Sequence, residues 1–158
     1  MHSAKWALCS NVASVGVVHK DEHGENRGGP FKRRDYVSNI FNSLVEEYAQ
    51  TPARPFRSFG NTFAFTVARK SIFHAVPPDA FRFPNGYNDV DYCLRAHRSG
   101  YDHITLGYLS LIHLKGATRG KTDESCQKAI LRSRLSSFYL EPSQLTENQM
   151  ISPKSNQF

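Results

Sequence analysis

Two carboxylates, Asp89 and Asp91, are the residues of this 158-residue chain whose type and spacing most invite chemistry. They lie in the string from Asp79 to Arg98, DAFRFPNGYNDVDYCLRAHR, behind a loop rich in aromatics, proline and glycine. Asn88 is a good N-cap, so both acids fall in the first turn of a helix, where unpaired N–H groups and the helix dipole favour negative charge. A carboxylate held there, at the mouth of a cleft, suits the removal of a proton from a hydroxyl. Asp91 has other uses as well. It can cap the Asn88 N–H as a residue at the third helical position, and it stands four residues before Arg95, which predicts a modest ion pair at the surface or rim.

The helix that must carry these acids is legible in the same string. Val90, Cys93, Leu94 and His97 recur at helical spacing and make one apolar stripe. Gly100 stands where a left-handed residue would end the helix. Taken with its loop, the string FRFPNGYNDVDYCLRAHRSGY resembles the F-P-x-x-F-N-D-V-D-x-C-L-R-x-x-x-x-G-Y signature of inverting family 2 glycosyltransferases, which have the GT-A fold. Asn88, Asp89, Val90, Asp91, Cys93, Leu94, Arg95, Gly100 and Tyr101 all match, in register and without gaps.

That resemblance implies roles for further residues. Asp89 takes the position of the family's catalytic base. Thr62 and Ala64, in the segment Phe59 to Ala68, match small residues that line the family's acceptor site, although Phe63 replaces the usual glycine and Pro77-Pro78 stand where Gly-Gly is common. Tyr87, Asn88 and Asp91 join this acceptor side, with Tyr87 as an aromatic wall against a sugar ring. His113, Thr118, Arg119 and Gly120 fit a downstream H-x-x-S-x-S-R-G pattern. His113 is thereby the metal candidate, for Mg²⁺ or Mn²⁺, and Arg119 with Lys115 would meet the leaving diphosphate. Asp89-Val90-Asp91 is not the family's metal-binding D-x-D, which ends a strand in the nucleotide-binding half.

The remaining elements follow from periodicity. Ala13 to Val18 is rich in valine and predicts a strand, and His19 to Pro30 an exposed loop. The spacing of Val37, Ile40, Phe41, Leu44, Val45 and Tyr48 predicts a helix over Asp35 to Ala49. A strand is expected over Phe59 to Ala68, with Phe63, Phe65 and Val67 on one face, then a short helix from Arg69 to Val76. Two strands, Asp102 to Leu106 and Tyr108 to Leu114, precede a basic amphipathic helix over Thr122 to Tyr139. In that helix Ile130, Leu131, Leu135 and Phe138 face inward.

Composition bounds the whole. The length suits one domain with a real core. With the resemblance, residues 1–140 are expected to form a single α/β, GT-A-like C-terminal half-domain, a mixed sheet flanked by helices, and the polar residues 141–158 a flexible tail. The opening βα pattern of a nucleotide-binding half is not among these residues, so a second chain or segment would supply it. No run of eighteen apolar residues is present, and the N-terminus makes a poor signal peptide. Three cysteines without a CxxC pair predict reduced thiols and a cytoplasmic setting, which leaves room for attachment at a membrane surface.

The net charge of +6 is compatible with nucleic acid, anionic lipid or a nucleotide diphosphate as partner, and the resemblance implies a nucleotide-diphosphate sugar as donor with a glycan or lipid-linked acceptor. No motif for sequence-specific nucleic-acid binding occurs. The leading expectation is a sugar transferase, truncated or one part of a split enzyme. The alternative is a non-catalytic basic module that binds a glycan or a protein with the same fold. Nonspecific nucleic-acid binding through the face from Lys115 to Arg134 ranks last.

Overall fold

The computed structural model describes residues 11–26, 29–33, 45–48, 50–84, 86–114 and 123–139, without the side chains of 32–33, 45–47 and 136–139. In chain order the elements are β1 (Val12–Lys20), β2 (Pro30–Arg33), β3 (Val45–Glu47), β4 (Pro55–Ser58), β5 (Gly60–Asn61), β6 (Thr66–Ala68), α1 (Lys70–Ala75), α2 (Asn88–Arg98), β7 (Asp102–Ile112) and α3 (Ser125–Tyr139). The architecture is α/β, with a mixed sheet flanked by helices. Among the described residues no helix is long and apolar enough to cross a membrane.

The main sheet has the order β4-β7-β1-β6. Its inner strands, β1 and β7, run parallel, and the edge strands pair with them antiparallel. Eight successive residues of β1, Val12 to His19, are buried. This suits a parallel strand covered on both faces. Alternation still divides the two faces. Val15, Val17, Ile104 and Leu106 form one apolar cluster with Val12. Ser14, His103 and Thr105 turn to the other face, where helix α2 lies against Ala13, Phe31 and Phe59. A second, antiparallel sheet, β3-β2-β5, adjoins this core.

Helix α2 is the best-formed expectation. Val90, Cys93 and Leu94 are buried as the stripe requires, with Tyr92 and Ala96 beside them, while His97 is half-buried and packs its ring 5.5 Å from Phe59. Gly100 has φ +83°, its N–H donates to the His97 carbonyl, and the Tyr101 N–H donates to that of Ala96. This pair of bonds closes the helix C-terminus in a Schellman turn.

Several expectations need correction. The helix foreseen over Asp35 to Ala49 ends instead in strand β3, since Val45 to Glu47 pair with β2; residues 35–44 lie outside the described residues. Pairing with a neighbouring strand there overrides a local helical period. Phe59 to Ala68 is not one strand but β5 and β6, in different sheets, joined by a turn. Local bonds make that turn: the Ala64 N–H donates to Thr62 Oγ1 at 3.3 Å and Thr66 Oγ1 donates to the Thr62 carbonyl at 2.9 Å. Strands β2 and β4 were not foreseen. The two strands expected over Asp102 to Leu114 are one, interrupted where the register jumps from Val17↔Leu106 to Val18↔Ser110. The interruption is a bulge at Gly107 to Leu109, which leaves Tyr108 and Leu109 exposed.

Candidate functional site

The N-terminus of α2 gathers most of the acceptor-side residues that the sequence singles out. Its entry differs from expectation. Asn88 is the first helical residue, and the cap position belongs to Tyr87, whose backbone is left-handed with φ 62°. The Asp91 N–H donates to the Tyr87 carbonyl at 2.9 Å, closing the first helical turn. Asn88 Oδ1 accepts from the Asp89 N–H at 2.9 Å, and Asp89 Oδ1 from the Val90 N–H at 2.8 Å. Neighbouring side chains thus satisfy two of the N–H groups that every helix start leaves over.

Asp89 is half-buried, and its second oxygen faces the turn after β5, where it accepts a long bond of 3.4 Å from the Phe63 N–H. The turn holding Thr62 and Ala64 is thereby tied to the helix mouth. Thr62 is half-buried, its N–H bonded to the Gly29 carbonyl, and Ala64 is exposed. Tyr87 is half-buried against the core, and burial together with the charge of Glu124 pushes its phenol up. A Cβ on Gly86 would stand 2.5 Å from the Glu124 carboxylate, so Glu124 lies across this entry loop. Asp89 is thus a half-buried carboxylate at the helix start, its two oxygens accepting from the Val90 and Phe63 N–H groups.

Asp91 departs from its expected place. It is 0% exposed. Arg95 Nε donates to its Oδ2 at 2.8 Å and Arg134 Nη1 to its Oδ1, so both oxygens are taken by guanidinium groups. An acceptor cannot reach it, and the foreseen rim ion pair is buried on its acidic side. Arg134 also donates through Nη2 to Asp79 Oδ2 at 2.8 Å, and Arg82 pairs with Asp79 at 3.0 Å. These guanidinium partners, Arg134 foremost, hold the Asp79 carboxyl down at about 2. The Arg134 guanidinium also stands 5.3 Å from the Phe83 ring centroid, at cation–π distance.

This clamp locks α3 to α2 and to the loop before it. The sequence placed Arg134 on the basic face from Lys115 to Arg134, whereas it turns to Asp91 and Asp79. Its position three and four residues after the inward-facing Leu131 and Ile130 was the available signal.

Beneath α2 lies a buried polar network that sequence reading did not single out. His103 Nε2–H donates to the Cys93 carbonyl at 3.1 Å, and its Nδ1 accepts from the Ser14 hydroxyl at 2.7 Å. Asn61 Nδ2 donates to Ser14 Oγ at 3.2 Å and to the Ile104 carbonyl at 3.1 Å; Thr105 Oγ1 donates to Asn61 Oδ1 at 2.7 Å. Burial pushes the His103 imidazole down to about 3, which keeps it neutral. Although it contains a serine and a histidine, the network is sealed from solvent and serves to fasten α2 to the sheet. Polar residues alternating with Ile104 and Leu106 in an otherwise apolar strand were the available signal.

His113 does not join the helix mouth in the arrangement described. Its ring packs against that of His19, with centroids 5.1 Å apart. Among the described residues no group of three or more His, Cys, Asp or Glu side chains is assembled for a metal. An imidazole neighbour suits Mg²⁺ or Mn²⁺ poorly, since these cations take oxygen ligands. Lys115 and Arg119 lie outside the described residues, as does the tail over 141–158. No protein-family model matches this chain, and neither a curated protein nor a solved structure is found similar to it.

Proposed function

We propose that this chain is the acceptor-side part of an inverting, GT-A-like sugar transferase, with Asp89 as the base that deprotonates the acceptor hydroxyl. One observation carries the reading. The N-D-V-D segment opens a helix whose first turn presents Asp89, half-buried, beside Tyr87 and the turn of Thr62 and Ala64. Asp91, by contrast, is withdrawn into the clamp. One carboxylate is left at the helix mouth for chemistry, and the other holds the scaffold.

In this mechanism the acceptor hydroxyl lies against Asp89, with Tyr87 as a wall for its sugar ring. The hydroxyl oxygen attacks the anomeric carbon of the donor as its proton passes to the Asp89 carboxylate. The bond from that carbon to the diphosphate breaks on the opposite face, so configuration inverts, and the diphosphate leaves with the electron pair. Lys115 and Arg119 are the cations proposed to meet this charge. A divalent ion, when bound, would add further charge stabilisation. The nucleotide-binding part is supplied by another segment or chain.

Titration with UDP, GDP and dTDP, followed by sugar-transfer assays with the complementing half, tests the reading. Asp89→Asn should lower transfer by about 10²–10⁴-fold, the usual worth of a general base, with the circular dichroism spectrum unchanged. Full transfer by Asp89→Asn would remove the base from Asp89. Glycan binding that needs no nucleotide and survives Asp89→Asn would point to the non-catalytic module.

A further inference from the structure

The turn between β5 and β6 carries two phenylalanines, Phe63 and Phe65, on either side of Ala64. Phe63 starts at the carboxylate itself, since its N–H is the one that meets Asp89 Oδ2 at 3.4 Å. Its half-buried ring packs 5.4 Å from Tyr92 and 6.4 Å from Phe73 of α1, and Phe73 in turn lies 5.4 Å from Tyr92. Tyr92, behind them, is fully buried, yet Phe73 stays 38% exposed and Phe65 40%. The polar groups of the helix mouth end at Thr62 and Asp89. Beyond them the side chains of Ala64, Phe65 and Phe73 offer only carbon to solvent.

We infer, on the reading of Asp89 as the base, that the acceptor is lipid-linked: its hydroxyl lies at Asp89, and its hydrocarbon chain runs over Phe63 onto Phe65 and Phe73. Small-molecule sites pair a mostly apolar lining with a few polar groups that fix orientation. Here the two kinds of lining lie side by side, as an amphiphile would require. Phenylalanine rings carry no hydrogen-bonding group, so sugar hydroxyls turned towards them would lose water without gaining a partner. A hydrocarbon chain loses nothing on the same surface. Each methylene that it fully buries strengthens binding by roughly fourfold. An aromatic rim continuous with the site is also a reason for rings of this size to stay in contact with water.

Methyl, hexyl and octyl β-glucoside, each below its micelle concentration, are the probes, titrated calorimetrically into the full chain. Affinity should rise with chain length, by about two- to fourfold for each added methylene. The rise should shrink in Phe65→Ser and in Phe73→Ser and persist in Ile112→Ser, at the exposed end of β7. Phe63 is left in place because it packs against the core, and circular dichroism checks that the variants fold. Methyl glucoside bound as tightly as octyl glucoside would overturn the lipid site, and so would a rise unchanged in both phenylalanine variants. Transfer assays with the complementing half separate this result from the role of Asp89. Transfer that is lost in Asp89→Asn but indifferent to chain length overturns the lipid site alone. Chain-dependent binding that needs Phe65 and Phe73, without any transfer, keeps the lipid site and removes the base.

Discussion

Asp91 and His103 show how two buried polar side chains can be stable in opposite ways. Asp91 is charged and completely buried, and it is tolerated because Arg95 and Arg134 occupy its two oxygens. Replacing it with alanine would leave two partly buried guanidinium groups facing each other. A loss of about 2–4 kcal/mol in denaturant unfolding is expected, against near-neutral effects for surface acids such as Glu22.

His103 is buried in its neutral form, so the unfolded chain takes up a proton more readily than the folded one. Between an unfolded value near 6.5 and a folded value of about 3, the unfolded state binds more protons, and stability must fall as pH falls through that window. His103→Gln should flatten this part of the profile, as read by unfolding midpoints at each pH. A slope that persists unchanged in the variant would assign it to other groups. The Asp79 carboxylate adds its own loss lower down, from its ordinary value of 3.8 towards about 2.

At the scale of elements, α2 owes its precision to both ends. Its N-terminus is shaped by the left-handed Tyr87 and its C-terminus by Gly100. At Gly100 a Cβ meets no neighbouring atom, so the cost of a side chain there is purely conformational. Gly100→Ala should therefore destabilise by about 1 kcal/mol, measurable in chemical unfolding without loss of the fold. Gly16 poses the opposite case. A Cβ there would stand 2.5 Å from the Asn61 side chain, which crosses β1 to reach Ser14 and Ile104. Close approach, and no unusual backbone angle, requires that glycine.

For the molecule as a whole, the outer end of β7 stands out. Tyr108, Leu109, Ile112 and Leu114 are exposed together, Ile112 at 69% and Leu114 at 58%. Apolar side chains grouped in this way are a liability unless another surface covers them. Ile112→Ser with Leu114→Ser should reduce concentration-dependent association in sedimentation velocity and leave the melting temperature within a few degrees. Association that is unaffected would place any contact elsewhere.

Much of α2 could be read directly from sequence, because a helix start, an apolar stripe and a terminal glycine are local signals. The strand β1 and the short helix α1 were legible for the same reason, whereas Asp89, Tyr87 and Thr62 were singled out by a resemblance, and the turn that holds Thr62 was expected to be strand. What tertiary structure alone decided was how distant segments meet. Val45 to Glu47 became a strand because β2 lies beside them, and Phe59 to Ala68 broke in two because Thr62 and Asp89 capture the backbone at the turn. The fates of Asp89 and Asp91 diverged for a similar reason. Both are acids in one helical turn, but only Asp91 faces the arginine of a helix more than forty residues away, and no local pattern encodes that encounter.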